Sequence, residues 1–201
     1  YTYNEINPDS CWYSFDNGVT NSSRVICGTN WTGLNSNANF NTWKVYINDT
    51  SGNKNTSTIS FSVDMVNPNI NLTYPLNTTY STNVTRLNYT FTETNPDSCW
   101  YSFDNGVTNS SRQTCGTNWT GLSSNANFNT WKVYINDSSG NQNSSNVSFS
   151  VDMVNPNINL TYPLNTTYST NVTRLNYTFT ETSPDSCWYS FDNGVTNSSR
   201  Q

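Results

Sequence analysis

Eighteen residues, NPDSCWYSFDNGVTNSSR, occupy Asn7 to Arg24, return unchanged at Asn95 to Arg112, and come back from Ser183 to Arg200 with only the first one altered. Cys11, Cys99 and Cys187 mark the period, 88 residues each time. Met65 to Arg112 differs from Met153 to Arg200 at one position, and Asn7 to Asp64 differs from Asn95 to Asp152 at eight. Such a chain is a tandem array, so whatever one copy folds into, its neighbours fold into as well. Nearly identical units in a row also do the same job at regular intervals, which argues against a specialised active site in any one of them. The 201 residues make two periods and 25 residues more. Both ends therefore fall inside a unit, and the sequence reads as an excerpt of a longer polymer. The expected division is an incomplete unit at 1–65 lacking its first strands, a complete unit at 66–153, and an incomplete unit at 154–201 lacking its last strands. Both part-units contain the stretch equivalent to Tyr89 to Gln113, which weakens a simple assembly in which one chain end completes the other.

Period-two alternation of apolar and polar residues dominates every copy, and helical periodicity is nowhere sustained. Leu87, Tyr89 and Phe91 alternate within Arg86 to Glu93; Trp131, Val133 and Ile135 do so within Thr130 to Asp137; Val147, Phe149 and Val151 within Asn146 to Asp152. Asn157 to Tyr162 alternates likewise and is closed by Pro163. In Ser98 to Phe103, Tyr101 and Phe103 share one face while Trp100 takes the other. About seven short strands per copy, separated by turns, predict an antiparallel β-sandwich. Asp104-Asn105-Gly106 is a strong hairpin signal, and Asp137-Ser138-Ser139-Gly140-Asn141 a compact loop with a glycine available for positive φ.

The five cysteines become regular once the period is applied: Cys11 with Cys27, Cys99 with Cys115, and Cys187 with a partner expected beyond the last residue. One pair per unit, without C-x-x-C and without histidine, favours a disulfide over zinc and an oxidising, extracellular setting. One conflict is visible in advance. A two-residue turn at Asn105-Gly106 sets Cys99 opposite Arg112, three residues short of Cys115, so the bridge requires a longer loop or a bulge.

Composition excludes several functions. Eight basic residues against thirteen acidic ones give a net charge of −5, with no positive stripe for nucleic acid. The apolar runs fall far short of the roughly 20 residues needed to cross a bilayer. Only 10% of residues are charged, yet 14% are aromatic, which places the chain among folded rather than disordered sequences.

Trp131 to Asn141, W-K-V-Y-I-N-D-S-S-G-N, followed by N-V-S-F-S-V-D at Asn146 to Asp152, resembles the last two strands of immunoglobulin-like repeats in bacterial and archaeal surface proteins. The likeness extends to every unit. It implies tandem immunoglobulin-like antiparallel β-sandwiches, one disulfide per repeat, in cell-surface stalks, adhesins or fibres; the density of acceptor triplets is similar to that of heavily N-glycosylated extracellular fibrils. The connection Asp152-Met153-Val154-Asn155-Pro156-Asn157 is short and contains proline. A stiff rod is the expectation, each unit adding ~35 to 40 Å, since strands of about eight residues at ~3.3 Å need loops at both ends.

The recurrent chemical motif is N-x-S/T, the acceptor for N-linked sugar when x is not proline. It occurs at Asn21, Asn30, Asn48, Asn55, Asn71, Asn77, Asn83, Asn88, Asn109, Asn118, Asn136, Asn143, Asn146, Asn159, Asn165, Asn171, Asn176 and Asn197. With 37 Asn and 58 Ser plus Thr, chance gives about 11 such triplets, so eighteen is an excess. Alternation supplies a sharper criterion, because a glycan cannot enter a packed core. Asn71, Asn88, Asn136 and Asn146 all alternate out of phase with their apolar neighbours and are expected to face solvent. Sugar would also give a surface with so few charges another source of solubility.

Other chemistry finds little support. Asp97, Asp104 and Asp137 are read as turn formers in preference to calcium ligands. Trp100 and Trp119 are the aromatic residues that could stack on sugar, foreign or the protein's own. Lys132 points outward by alternation, away from any buried isopeptide. There is no histidine, and Glu5, Glu93 and Glu181 give one glutamate per unit, so no carboxylate pair for glycoside hydrolysis is expected. The sequence predicts a non-enzymatic building block of an extracellular fibre or surface rod. No cofactor beyond covalent glycans is expected, and its partners are neighbouring repeats or copies of itself. A stalk for an adhesin, or a carbohydrate-binding module repeated for avidity through Trp100 and Trp119, are the rivals.

Overall fold

The computed structural model describes all 201 residues and contains strands and turns but no helix. The first sheet has the order β1-β2-β3, formed by β1 (Pro8–Ser14), β2 (Asn39–Asp49) and β3 (Lys54–Val63). The middle of the chain supplies β4 (Asn69–Tyr74), β5 (Thr79–Tyr80), β6 (Arg86–Thr92), β7 (Pro96–Ser102), β8 (Trp119–Thr120), β9 (Asn127–Asp137) and β10 (Gln142–Val151). These form two sheets, β4-β6-β8 and β5-β10-β9-β7. The last pair, β11 (Asn157–Tyr162) and β12 (Asn176–Thr180), is an antiparallel ladder repeating that of β4 and β6 residue for residue.

Every ladder is antiparallel except the short pairing of β5 with β10, in which Thr79 lies beside Ser150 and Tyr80 beside Val151. The chain runs along β4 in one sheet and, past the cis Tyr74–Pro75 bond, continues as β5 at the edge of the other. Seven segments so ordered, the first two being one strand divided between both layers and the last two forming a long hairpin in the larger sheet, make an immunoglobulin-like sandwich.

The core lies between the two sheets, built from the alternating residues that face inward. Leu87 and Tyr89 of β6 meet Trp131, Val133 and Ile135 of β9 and Phe149 and Val151 of β10, all of them buried. Aromatic rings dominate it: Trp131 packs edge-on against Phe149 at 5.2 Å between centroids and tilts against Phe103 at 4.6 Å. No buried side-chain nitrogen or oxygen lacks a hydrogen-bond partner.

The predicted strands fall where alternation places them, with extensions. β10 begins at Gln142, four residues before the predicted Asn146, because its ladder to β9 continues through polar residues as far as the Asp137–Asn141 loop. The conflict over the disulfide is resolved by a local irregularity. Asn105 and Gly106 have φ of 59° and 100°, the paired positive values of a type I′ turn. Ser110 N–H donates to the Tyr101 carbonyl at 2.8 Å, but Tyr101 N–H donates to the Ser110 hydroxyl, at 3.0 Å, rather than to its carbonyl. One extra residue is accommodated there, and Cys99 then pairs with Gln113 instead of Arg112. Cys115, two residues on, is brought to a Cα separation of 5.1 Å and the Cys99–Cys115 bridge closes. Cys11 and Cys27 form the same bridge, also at 5.1 Å, while Cys187 is a free thiol.

Candidate functional site: the asparagine surface and the inter-unit junction

Most of the acceptor asparagines are exposed, and of the four placed by alternation Asn71 and Asn146 face solvent fully. Asn71 on β4 and Asn146 on β10 are exposed, as are Asn77, Asn83, Asn109, Asn118 and Asn143, and Asn88 on β6 is half-buried. Asn21, Asn30 and Asn55 in the first copy, and Asn159, Asn165, Asn171, Asn176 and Asn197 in the third, are exposed too. Two equivalent positions depart from this pattern. Asn48 is only 7% exposed, and Asn136 is half-buried with both ends of its carboxamide hydrogen-bonded. The Asn136 Oδ1 accepts from Ser98 N–H at 3.1 Å and from the Ser98 hydroxyl at 2.6 Å, while Nδ2 donates to Asp97 Oδ2 at 3.1 Å. The cause is a register slip between Pro96 and Ser98, which leaves the Ser98 N–H without a carbonyl across the ladder. Asn48 serves Ser10 and Asp9 identically.

The carboxylates act as turn formers. Asp104 accepts from the Ser102 hydroxyl at 2.6 Å and from Thr108 N–H at 2.8 Å. These donors, the Ser102 hydroxyl foremost and then Thr108, hold its carboxyl well below the ordinary 3.8. In the third copy the same contacts, led by the Ser190 hydroxyl, bring Asp192 down to about 2. At Asp137, burial favours the neutral acid, yet Asn141 and the loop N–H groups outweigh it and the net shift is downward. Its Oδ1 accepts from Ser139 and Asn141 N–H at 2.9 and 2.8 Å, and its Oδ2 from Asn141 Nδ2 at 2.8 Å.

The same loop holds the segment that enters the unit. Asn141 Nδ2 also donates to the Asp64 carbonyl at 3.1 Å, and Asn143 Nδ2 donates to the Pro68 carbonyl at 2.9 Å. Pro68 is buried, and four residues on, Leu72 N–H donates to the Ser145 hydroxyl at 3.1 Å. Two carboxamides from the start of β10 thus clasp the linker at both ends. Asp64, Glu93 and Asp137 also converge here, their carboxylate oxygens within 4.8 Å of one another. Sequence reasoning missed this cluster because its members are 29 and 44 residues apart in the chain.

The tryptophans read as possible sugar platforms have no open face. Trp119 is a core residue, 9% exposed, stacked on Tyr89 at 5.0 Å and edge-on to Tyr101 at 5.2 Å. Alternation does not reveal this burial, because β8 is only two residues long. Trp100 does lie on the outer face, but the Arg112 guanidinium covers it at 4.1 Å and Tyr134 stacks on it at 5.2 Å. Lys132, on the outward side of β9 as predicted, approaches the Tyr134 ring at 5.0 Å. Arg24, Trp12, Tyr46 and Lys44 repeat this stack.

No family model and no curated protein sequence matches the chain. Among solved structures it is similar to the fibronectin(III)-like modules of Clostridium thermocellum CbhA, with a TM-score of 0.40 at 11% identity over 75% of this chain and 83% of that one. It is also similar to the N-terminal four Ig domains of Dscam1 isoform 1.9, with a TM-score of 0.31 at 10% identity over 73% of this chain and 38% of that one. The chain is an immunoglobulin-like β protein, and strand order, the parallel β5–β10 pairing and the two-layer core carry that assignment.

Proposed function

We propose that the chain is a structural, non-catalytic segment of an extracellular fibre or surface rod, in which 88-residue immunoglobulin-like units follow one another and carry N-linked glycans. Its partners in this reading are its own neighbouring units, or further copies of itself, and the attached sugars. The observation that carries the proposal is the recurrence of one unit down to individual hydrogen bonds and the same bridge, joined to its predecessor by a clasped linker. Cores and disulfides would resist unfolding, clasped linkers would limit bending, and sugars would shield backbone and strand edges. The covered faces of Trp100 and Trp119 count against a repeated carbohydrate-binding module.

Intact-mass measurement of the secreted protein before and after enzymatic deglycosylation tests the glycan part. A large mass excess that the enzyme removes is the expected result, and a mass equal to the bare polypeptide overturns it. Small-angle scattering tests the rod: an elongated profile is expected, and a compact one refutes it.

A further inference from the structure

A glycan is joined to the carboxamide nitrogen of its asparagine, so the surroundings of that nitrogen decide whether a folded unit has room for sugar. At Asn136 the nitrogen is bound to Asp97 while the oxygen satisfies Ser98, whose own backbone is buried at the register slip. Sugar on that side chain would swing it outward and orphan the Ser98 N–H. The rest of the triplet is committed as well. Asp137 closes the loop, and Ser138 N–H donates to the Asn95 carbonyl at 3.0 Å. The Asn and Asp of the triplet are therefore accounted for by the fold, whereas Ser138 contributes only its backbone, and Asn48-Asp49-Thr50 repeats the pattern.

Asn143 presents a second case at the same end of the unit. It is exposed but shares the phase of Val147 and Phe149 on β10, and one of the two hydrogens of its nitrogen is donated to the Pro68 carbonyl. Its counterpart Asn55 offers a contrast. Like Asn143 that residue is exposed and its oxygen accepts the next N–H, here from Thr56; the difference is that its nitrogen makes no hydrogen bond within these 201 residues. The Asn83 nitrogen also donates, but to the exposed Ser123 hydroxyl beyond the opposite end of β9, where water serves equally well.

Resting on the glycosylated-surface reading above, we infer that the end of each unit that receives the preceding linker is a sugar-free collar. Asn48, Asn136 and Asn143 stay unmodified although each heads an acceptor triplet, and the partner this bare end takes is the linker of the unit before it. With the Asn143 nitrogen held 2.9 Å from the Pro68 carbonyl, a saccharide ring on that nitrogen would crowd the linker backbone beside it. Asn71 and Asn146, on the outer faces of the two sheets, direct their sugar sideways.

The test is site-resolved glycopeptide mass spectrometry on the 201-residue chain secreted from an N-glycosylating host. Sugar is expected on Asn71, Asn109, Asn146 and Asn55, with unmodified peptides at Asn48, Asn136 and Asn143. Asn55 against Asn143 is the internal comparison, since both begin Asn-x-Ser at the same strand position and only one is clasped. Occupancy of Asn136 or Asn143 equal to that of Asn71 overturns the collar and leaves the glycosylated surface standing. Sugar at none of the positions overturns both.

Discussion

At the scale of single residues, the unit is held by side chains that stand in for backbone. Asn136 supplies the acceptor that the slipped ladder denies to Ser98, and the Ser110 hydroxyl supplies the one denied to Tyr101. Asn136→Ala removes the acceptor while Ser98 stays buried, so a loss of about 1–3 kcal/mol is expected in chemical denaturation. Ser138→Ala, which destroys the acceptor triplet but contributes only backbone to the loop, is expected to leave stability unchanged. Gly106 is a second such position. Its φ is 100°, and a Cβ there would collide with the Tyr134 hydroxyl, whose ring is fixed by its stack on Trp100. Gly106→Ala is expected to cost about 1–2 kcal/mol from the backbone conformation alone, read as a lowered melting temperature.

At the scale of strands and turns, two effects are separable. The turn carboxylates have folded-state values below their unfolded ones, so each contributes stability that is complete above the ordinary 3.8 and is lost as pH falls through the folded value. For Asp192 that value is about 2, and for Asp16 and Asp104 it is lower still. The melting temperature is expected to be flat from neutral pH to about 4 and to decline below that; a decline beginning near pH 6 would contradict the assignment. Opening the Cys99–Cys115 loop by Cys99→Ser with Cys115→Ser is expected to lower stability by about 3 kcal/mol, the chain-entropy value for a loop of this length. Spectroscopy should still report strands, because the Trp131 core lies largely outside the loop. Alternation made the long strands legible at this scale. β6 and β9 could be read because each buries one face. β5 and β8 could not, because two residues define no period, so nothing in the sequence marks Trp119 as a core residue. The engaged asparagines were equally illegible: alternation says which way a side chain points, but not that a register slip has created a buried donor for it to satisfy.

At the scale of the whole molecule, the junction is the decisive element. Two carboxamides grip the Asp64 and Pro68 carbonyls, and both belong to the unit that follows the linker. Replacing both, Asn141→Ala with Asn143→Ala, is expected to leave each core intact and to broaden the distribution of dimensions seen by small-angle scattering; an unchanged distribution would mean that the linker is stiff without them. The grip is also one-sided. The middle unit braces the segment arriving from its predecessor, and in a series built on that junction the grip always points the same way. Such a series has a head that differs from its tail, and on warming it should fray from the head inward, like a row of dominoes with one unsupported end.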